Sequence, residues 1–97
     1  MKVRVSARAR REFERCDTWW RANRDAADLL TREMLEVLDR LPDNPDLGVV
    51  YDAILFATPV RRVLLPRSEH HVYHARVGDD VVILAVWGAR RHGGPKL

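Results

Sequence analysis

The 97 residues suffice for one domain, spanning 1–97, with a single modest core, and leave no room for a second. Hydrophobic residues make up 46% and charged ones 32%, which excludes a disordered polar chain, and no apolar run nears the ~20 residues of a bilayer span. The formal net charge is +3, and the one cysteine, Cys16, excludes an internal disulfide and a cysteine-built zinc site.

Val3 and Val5 alternate with Lys2 and Arg4, which predicts a short strand. Ser6 then suits a helix N-cap. From 7 to 23 the apolar positions Ala9, Phe13, Cys16 and Trp20 are spaced by 4, 3 and 4, the stripe of an amphipathic helix. Trp19 sits at the edge of that stripe, and Cys16 within it reads as a buried structural thiol. After a break at Asn23-Arg24-Asp25, Ala27, Leu30, Met34, Val37, Leu38 and Leu41 mark a second helix, with Asp25 or Asp28 at its start and Pro42 at its end. So short a link predicts an antiparallel helical hairpin. Residues 42–48 are a turn-rich connector. Residues 49–58 read equally as strand or as packed loop. Strands are then predicted over 60–65, 70–77 and 81–87. Pro66 stops the first, Gly78-Asp79-Asp80 makes a hairpin turn, and the near-continuous apolar run of the last suits a strand covered on both faces. The fold class is α+β: a short N-terminal strand, a helical hairpin, then a three-stranded antiparallel meander in one sheet.

Charge is distributed unevenly. Residues 1–24 hold eight basic and three acidic residues (+5), 25–56 two and eight (−6), and 57–97 seven and three (+4). Fifteen of the 17 basic residues are Arg, which binds carboxylate and phosphate through a planar fork. Either the acidic middle packs beside the basic ends, or the C-terminal third presents a basic surface to an acidic partner or to nucleic acid. The N-terminus, Met1-Lys2-Val3-Arg4-Val5, carries no apolar leader core, so a cytoplasmic location is expected.

The order of these pieces resembles the RelE/ParE family of bacterial toxins. The likeness runs over nearly the whole chain. It takes in Ser6-Ala7-Arg8-Ala9 opening a helix that ends in Trp19-Trp20, then Leu41-Pro42, Asn44-Pro45 and Leu47-Gly48. Its firmest part is Val60-Arg61-Arg62-Val63-Leu64-Leu65, His70-His71-Val72-Tyr73 and the run from 81 to 91. The resemblance implies the toxin of a type II toxin–antitoxin module, held inactive in a hetero-oligomer by an antitoxin whose acidic segment wraps it and adds a strand to its sheet. Exposed apolar residues within 49–58 would belong to that interface.

Two functions live on this fold. ParE-like members bind and inhibit DNA gyrase. RelE-like members cut mRNA on the ribosome with Lys and Arg on the sheet and a Tyr near the C-terminus. Here Arg61 stands where a basic residue is expected, but Val63 is apolar where a second would lie, His71 falls near an Arg position, and no Tyr follows Arg91. The missing Tyr and the apolar Val63 favour the gyrase inhibitor. Arg61, Arg90, Arg91 and His92 are then the expected target- and antitoxin-binding residues, with Arg61 beside the other three. A nuclease would use Arg61, His71, Arg90, Arg91 and His92, with the histidines as the groups that titrate near neutrality. A third alternative is a non-catalytic nucleic-acid-binding module. One of Arg61 and Arg62 should pair with an acidic residue of the helices. His70 and His74 share a strand face without a carboxylate between them, so no metal is expected, and no cofactor. The glycine-rich tail 88–97 is expected to add charge but no core side chain.

Overall fold

Ser6 begins the first helix as its composition suggests. Its backbone is extended (φ −65°, ψ 156°), and its hydroxyl accepts from the Ala9 amide at 3.0 Å. The computed structural model describes residues 1–55, 58–91 and 93–97. Its elements are β1 (Lys2–Val5), α1 (Ala7–Asn23), α2 (Leu29–Arg40), β2 (Val49–Leu55), β3 (Thr58–Leu65), β4 (His70–Val77) and β5 (Asp80–Gly88).

The sheet has five strands in the order β1-β5-β4-β3-β2. The meander is one strand longer than expected, because the ambiguous stretch supplies β2 on the outer edge, antiparallel to β3. Residues 56 and 57 of that stretch lie outside the described residues. The first strand joins the same sheet, as the opposite edge, and pairs parallel with β5 from Lys2↔Asp80 to Val5↔Ile83. The class is therefore α+β with a mixed sheet. β1 reaches only the first half of β5. Beyond it α1 takes over, with Glu12 Oε1 accepting from the Val86 amide at 3.0 Å.

The second helix starts at Leu29, later than the expected break at 25. Residues 25–28 form turns, tied down where the Trp20 indole N–H donates to the Ala26 carbonyl at 2.8 Å. Asp28 stands at the N-cap position but makes no capping bond; its carboxylate pairs with Arg32 at 3.1 Å instead. Both helices cover one face of the sheet. Ala9 and Trp20 from α1, and Leu30, Met34 and Val37 from α2, pack with Val63, Leu65, Val72, Val81, Ile83 and Val86. Glu33, nearly inside this core, accepts from the Arg67 and Ser68 amides at 3.1 and 2.9 Å and so fixes the β3–β4 turn.

A β-bulge in β5 offsets the pairing so that Tyr73 faces Ala85 and His74 faces Ile83. The second face of the sheet carries its own small cluster: Val60, Tyr73, Ala75 and Ala85, with Tyr51, Leu84 and Trp87 packed against it. The tail comes back over this face. Gly94 lies so near Tyr51 that a Cβ there would fall 1.8 Å from the phenol oxygen, Pro95 is buried, and Arg8 donates to the Lys96 carbonyl. The expectation that the tail adds no packing is thus corrected. Its glycine removes the side chain that would keep the backbone off Tyr51.

Candidate functional site

The arginines of the C-terminal third fall at two ends of the sheet. At one end, Arg61 on β3 and Arg76 on β4 reach the same carboxylate, Asp46 of the connector, at 3.8 and 3.2 Å. The partner of Arg61 is therefore in the loop before β2 and not on a helix. Arg62 leaves the other face, lies 5.5 Å over the Tyr51 ring and bonds the Tyr73 hydroxyl. His74, fully buried beside Arg61 and Asp46, meets the Leu47 carbonyl through Nε2 at 2.7 Å. A carbonyl only accepts, so Nε2 carries the proton. Burial is the main cause that pushes the His74 pKa below the usual histidine range, and nearby Arg61 adds to it. At this corner one carboxylate offsets part of the charge of two guanidinium ions.

The other end is where β4 starts and β5 stops. His70 pairs with Gly88 and His71 with Trp87, and Arg90 and Arg91 follow at once. Arg90 meets Glu69 at 2.8 Å, but its side chain is 84% exposed, so the pair contributes little. Arg91 lies 3.9 Å over the Trp87 ring. From α1, Arg24 lies over both Trp19 and Trp20, at 5.3 and 5.7 Å. Together with Arg15, these side chains border an open cleft of about 590 Å³ between the end of α1 and the β4–β5 end.

Of the residues singled out from sequence, the structure brings Arg90, Arg91 and His71 to this end. Arg61 is not beside them. It pairs with His74, four strand positions from the Leu65↔His70 pair, or about 13 Å along the sheet. His92 lies outside the described residues. His71 sits on the second face, 6.1 Å from the Tyr73 ring, and its pKa is lowered by burial first and then by Arg62 and His70. Tyr73 is almost completely buried, and that burial raises its hydroxyl pKa. The face thus offers a neutral imidazole, while its phenol is out of a substrate's reach. Among the described residues, no three His, Cys, Asp or Glu side chains gather as metal ligands. The end as a whole is equipped to bind anions.

Sequence reasoning missed Arg15, Trp19, Trp20 and Arg24 as one group. The signal was present: Arg15 and Trp19, and Trp20 and Arg24, are each four apart on or just past a helix, the spacing that stacks side chains on one face.

The chain also matches known proteins. Residues 3–93 match the model of the ParE toxin of the type II toxin–antitoxin system parDE. The fold is similar to a solved chain described as the chromosomal ParDE TA system from P. aeruginosa, at TM-score 0.74 and 14% identity, covering 93% of this chain and 97% of that one. No curated protein sequence matches significantly. Since the family model takes in nearly the whole chain, including both ends of the sheet, this protein belongs to the ParE toxin family of type II toxin–antitoxin systems.

Proposed function

We propose that this protein arrests growth by binding DNA gyrase in the bacterial cytoplasm, and that a cognate antitoxin neutralises it. The observation that carries this reading is the arginine group at the β4–β5 end: Arg24 and Arg91 held over indole rings and Arg90 in a solvent-open pair with Glu69, all exposed to an acidic surface. The antitoxin reading is supported at the opposite edge. Val49 and Val50 on β2 and Leu64 on β3 are each more than half exposed, and β2 has a free edge among the described strands. An acidic antitoxin segment could add a strand there and give a hetero-oligomer.

Induced expression without antitoxin should stop growth, with filamentation and accumulation of gyrase–DNA cleavage complexes while bulk mRNA stays intact. Soluble, folded protein with no growth defect in its native host would overturn the reading. His71 with Arg62 beside it on the second face gives a second reading, a ribosome-dependent mRNA endoribonuclease. Primer extension that finds cuts within translated codons, abolished by His71→Ala, would favour it.

A further inference from the structure

The cleft at the β4–β5 end has features that a protein-binding surface does not require. Its described lining carries four arginines, Arg15, Arg24, Arg90 and Arg91, against one carboxylate, Glu69. Glu69 is engaged by Arg90; among the described residues Arg15, Arg24 and Arg91 have no carboxylate within 4.0 Å. Two buried donors also lack partners here. Ser68, a residue only 5% exposed, borders the cleft, and its buried hydroxyl has no partner. Trp87, whose buried indole N–H also lacks a partner, borders an adjoining crevice of about 120 Å³ that shares Arg15, Cys16 and Arg91 with the cleft. A buried donor left unpaired is costly, and guanidinium ions without carboxylate partners match the oxygens of an anion.

The anion should also carry a ring. Trp19 is 52% exposed, while every other described Phe, Trp and Tyr is at least partly buried, and it borders the cleft. His70, held by the Ser68 carbonyl at 2.9 Å, must donate through Nδ1, which leaves Nε2 as an acceptor in the neutral ring. Burial keeps His70 toward that neutral form. The volume lies within the range of small-molecule pockets.

We propose that this cleft is a nucleotide site, in which the base takes the place of Arg24 over the exposed Trp19 ring and the phosphate oxygens are taken by Arg15, Arg90 and Arg91. His70 Nε2 accepts from a ribose hydroxyl or a base amino group. Arg91, stacked on the Trp87 indole, keeps its N–H edge directed outward, which suits phosphate. An acidic peptide would use the same arginines but leave Trp19 and His70 without a role. The inference concerns a ligand of the chain itself and does not depend on gyrase as target.

Titration of the purified full chain, followed by tryptophan fluorescence and calorimetry, tests it with ADP, ATP, adenosine, inorganic phosphate, a short single-stranded oligonucleotide and an oligoglutamate peptide. ADP or ATP should bind saturably and at least about tenfold more tightly than adenosine or phosphate alone. Trp19→Ala and Arg15→Ala should each weaken binding about tenfold or more without lowering the melting temperature, with Trp19→Phe restoring most of the loss. Tighter binding of the oligonucleotide, with the same sensitivity to both variants, supports the site with a strand as its source of nucleotide. No saturable binding at millimolar nucleotide, equal affinity for oligoglutamate, or indifference to both variants would overturn the proposal. Growth arrest is measured separately, so failure of nucleotide binding leaves the toxin reading standing.

Discussion

At one end of the sheet Arg61 and Arg76 share the Asp46 carboxylate, 3.8 and 3.2 Å away, next to a fully buried histidine. At the other end Arg24 and Arg91 lie over indole rings, and the ion pair of Arg90 with Glu69 is open to solvent. The same residue type does two jobs. Guanidinium ions that share the Asp46 carboxylate tie a loop to two strands and have part of their charge offset. A guanidinium held on a ring is positioned without being neutralised, so its charge and its N–H edge remain available to a partner. The number of arginines therefore says less about function than what each rests on.

The loop that carries Asp46 gives the largest expected effect. Gly48 follows it at φ 91°, and a Cβ there would lie 2.2 Å from the Arg62 carbonyl oxygen, a backbone atom that cannot swing away. Gly48→Ala should cost at least about 2 kcal/mol, read by chemical denaturation. A loss below about 0.5 kcal/mol would mean that the loop is not held against β3. Deleting residues 93–97 should cost about 1 kcal/mol, since it removes buried Pro95, the cover over Tyr51 and the Arg8–Lys96 contact. If stability is unchanged, the tail does not pack on the second face.

A smaller, graded effect is expected with pH. His70, His71 and His74 all have lowered pKa values in the folded chain, with burial the leading cause for each. Below their ordinary value of about 6.5 the unfolded chain then binds more protons than the folded one. Stability should be flat above about pH 7 and fall as the pH drops through 6.5 toward the folded-state values. His74→Gln should flatten part of that slope; an unchanged slope would assign it to other groups.

Much of the fold was legible in the sequence because its signals are local. The stripe Ala9, Phe13, Cys16, Trp20 and the cap Ser6 place α1, and the two residues Gly78-Asp79 make the β4–β5 turn, with Gly78 at φ 61°. β2 was ambiguous for a physical reason. It is an edge strand whose Val49 and Val50 face water, so it shows no polar–apolar alternation. The late start of α2 depends on Trp20 bonding Ala26, a contact across a turn that periodicity does not encode. The site was half legible. Arg90 and Arg91 follow the last strand in sequence and stand at its end. That Arg61 lies at the far end follows from strand register, and that Arg15, Trp19 and Arg24 complete the cleft follows from how α1 docks. Neither can be read without the sheet.

The central claim is that the exposed arginines of the β4–β5 end act on a partner while the Asp46-held ones maintain structure. The most direct test sets Arg90→Ala/Arg91→Ala beside Arg61→Ala, scoring growth arrest and melting temperature for both. The double variant should lose toxicity, since an arginine that meets a desolvated acid or phosphate is worth about 2–5 kcal/mol of binding, while stability changes by no more than ~0.5 kcal/mol. Arg61→Ala should remain toxic and lose up to about 1 kcal/mol of stability. A double variant that stays fully toxic, or an Arg61→Ala protein that is stable but harmless, would contradict the account.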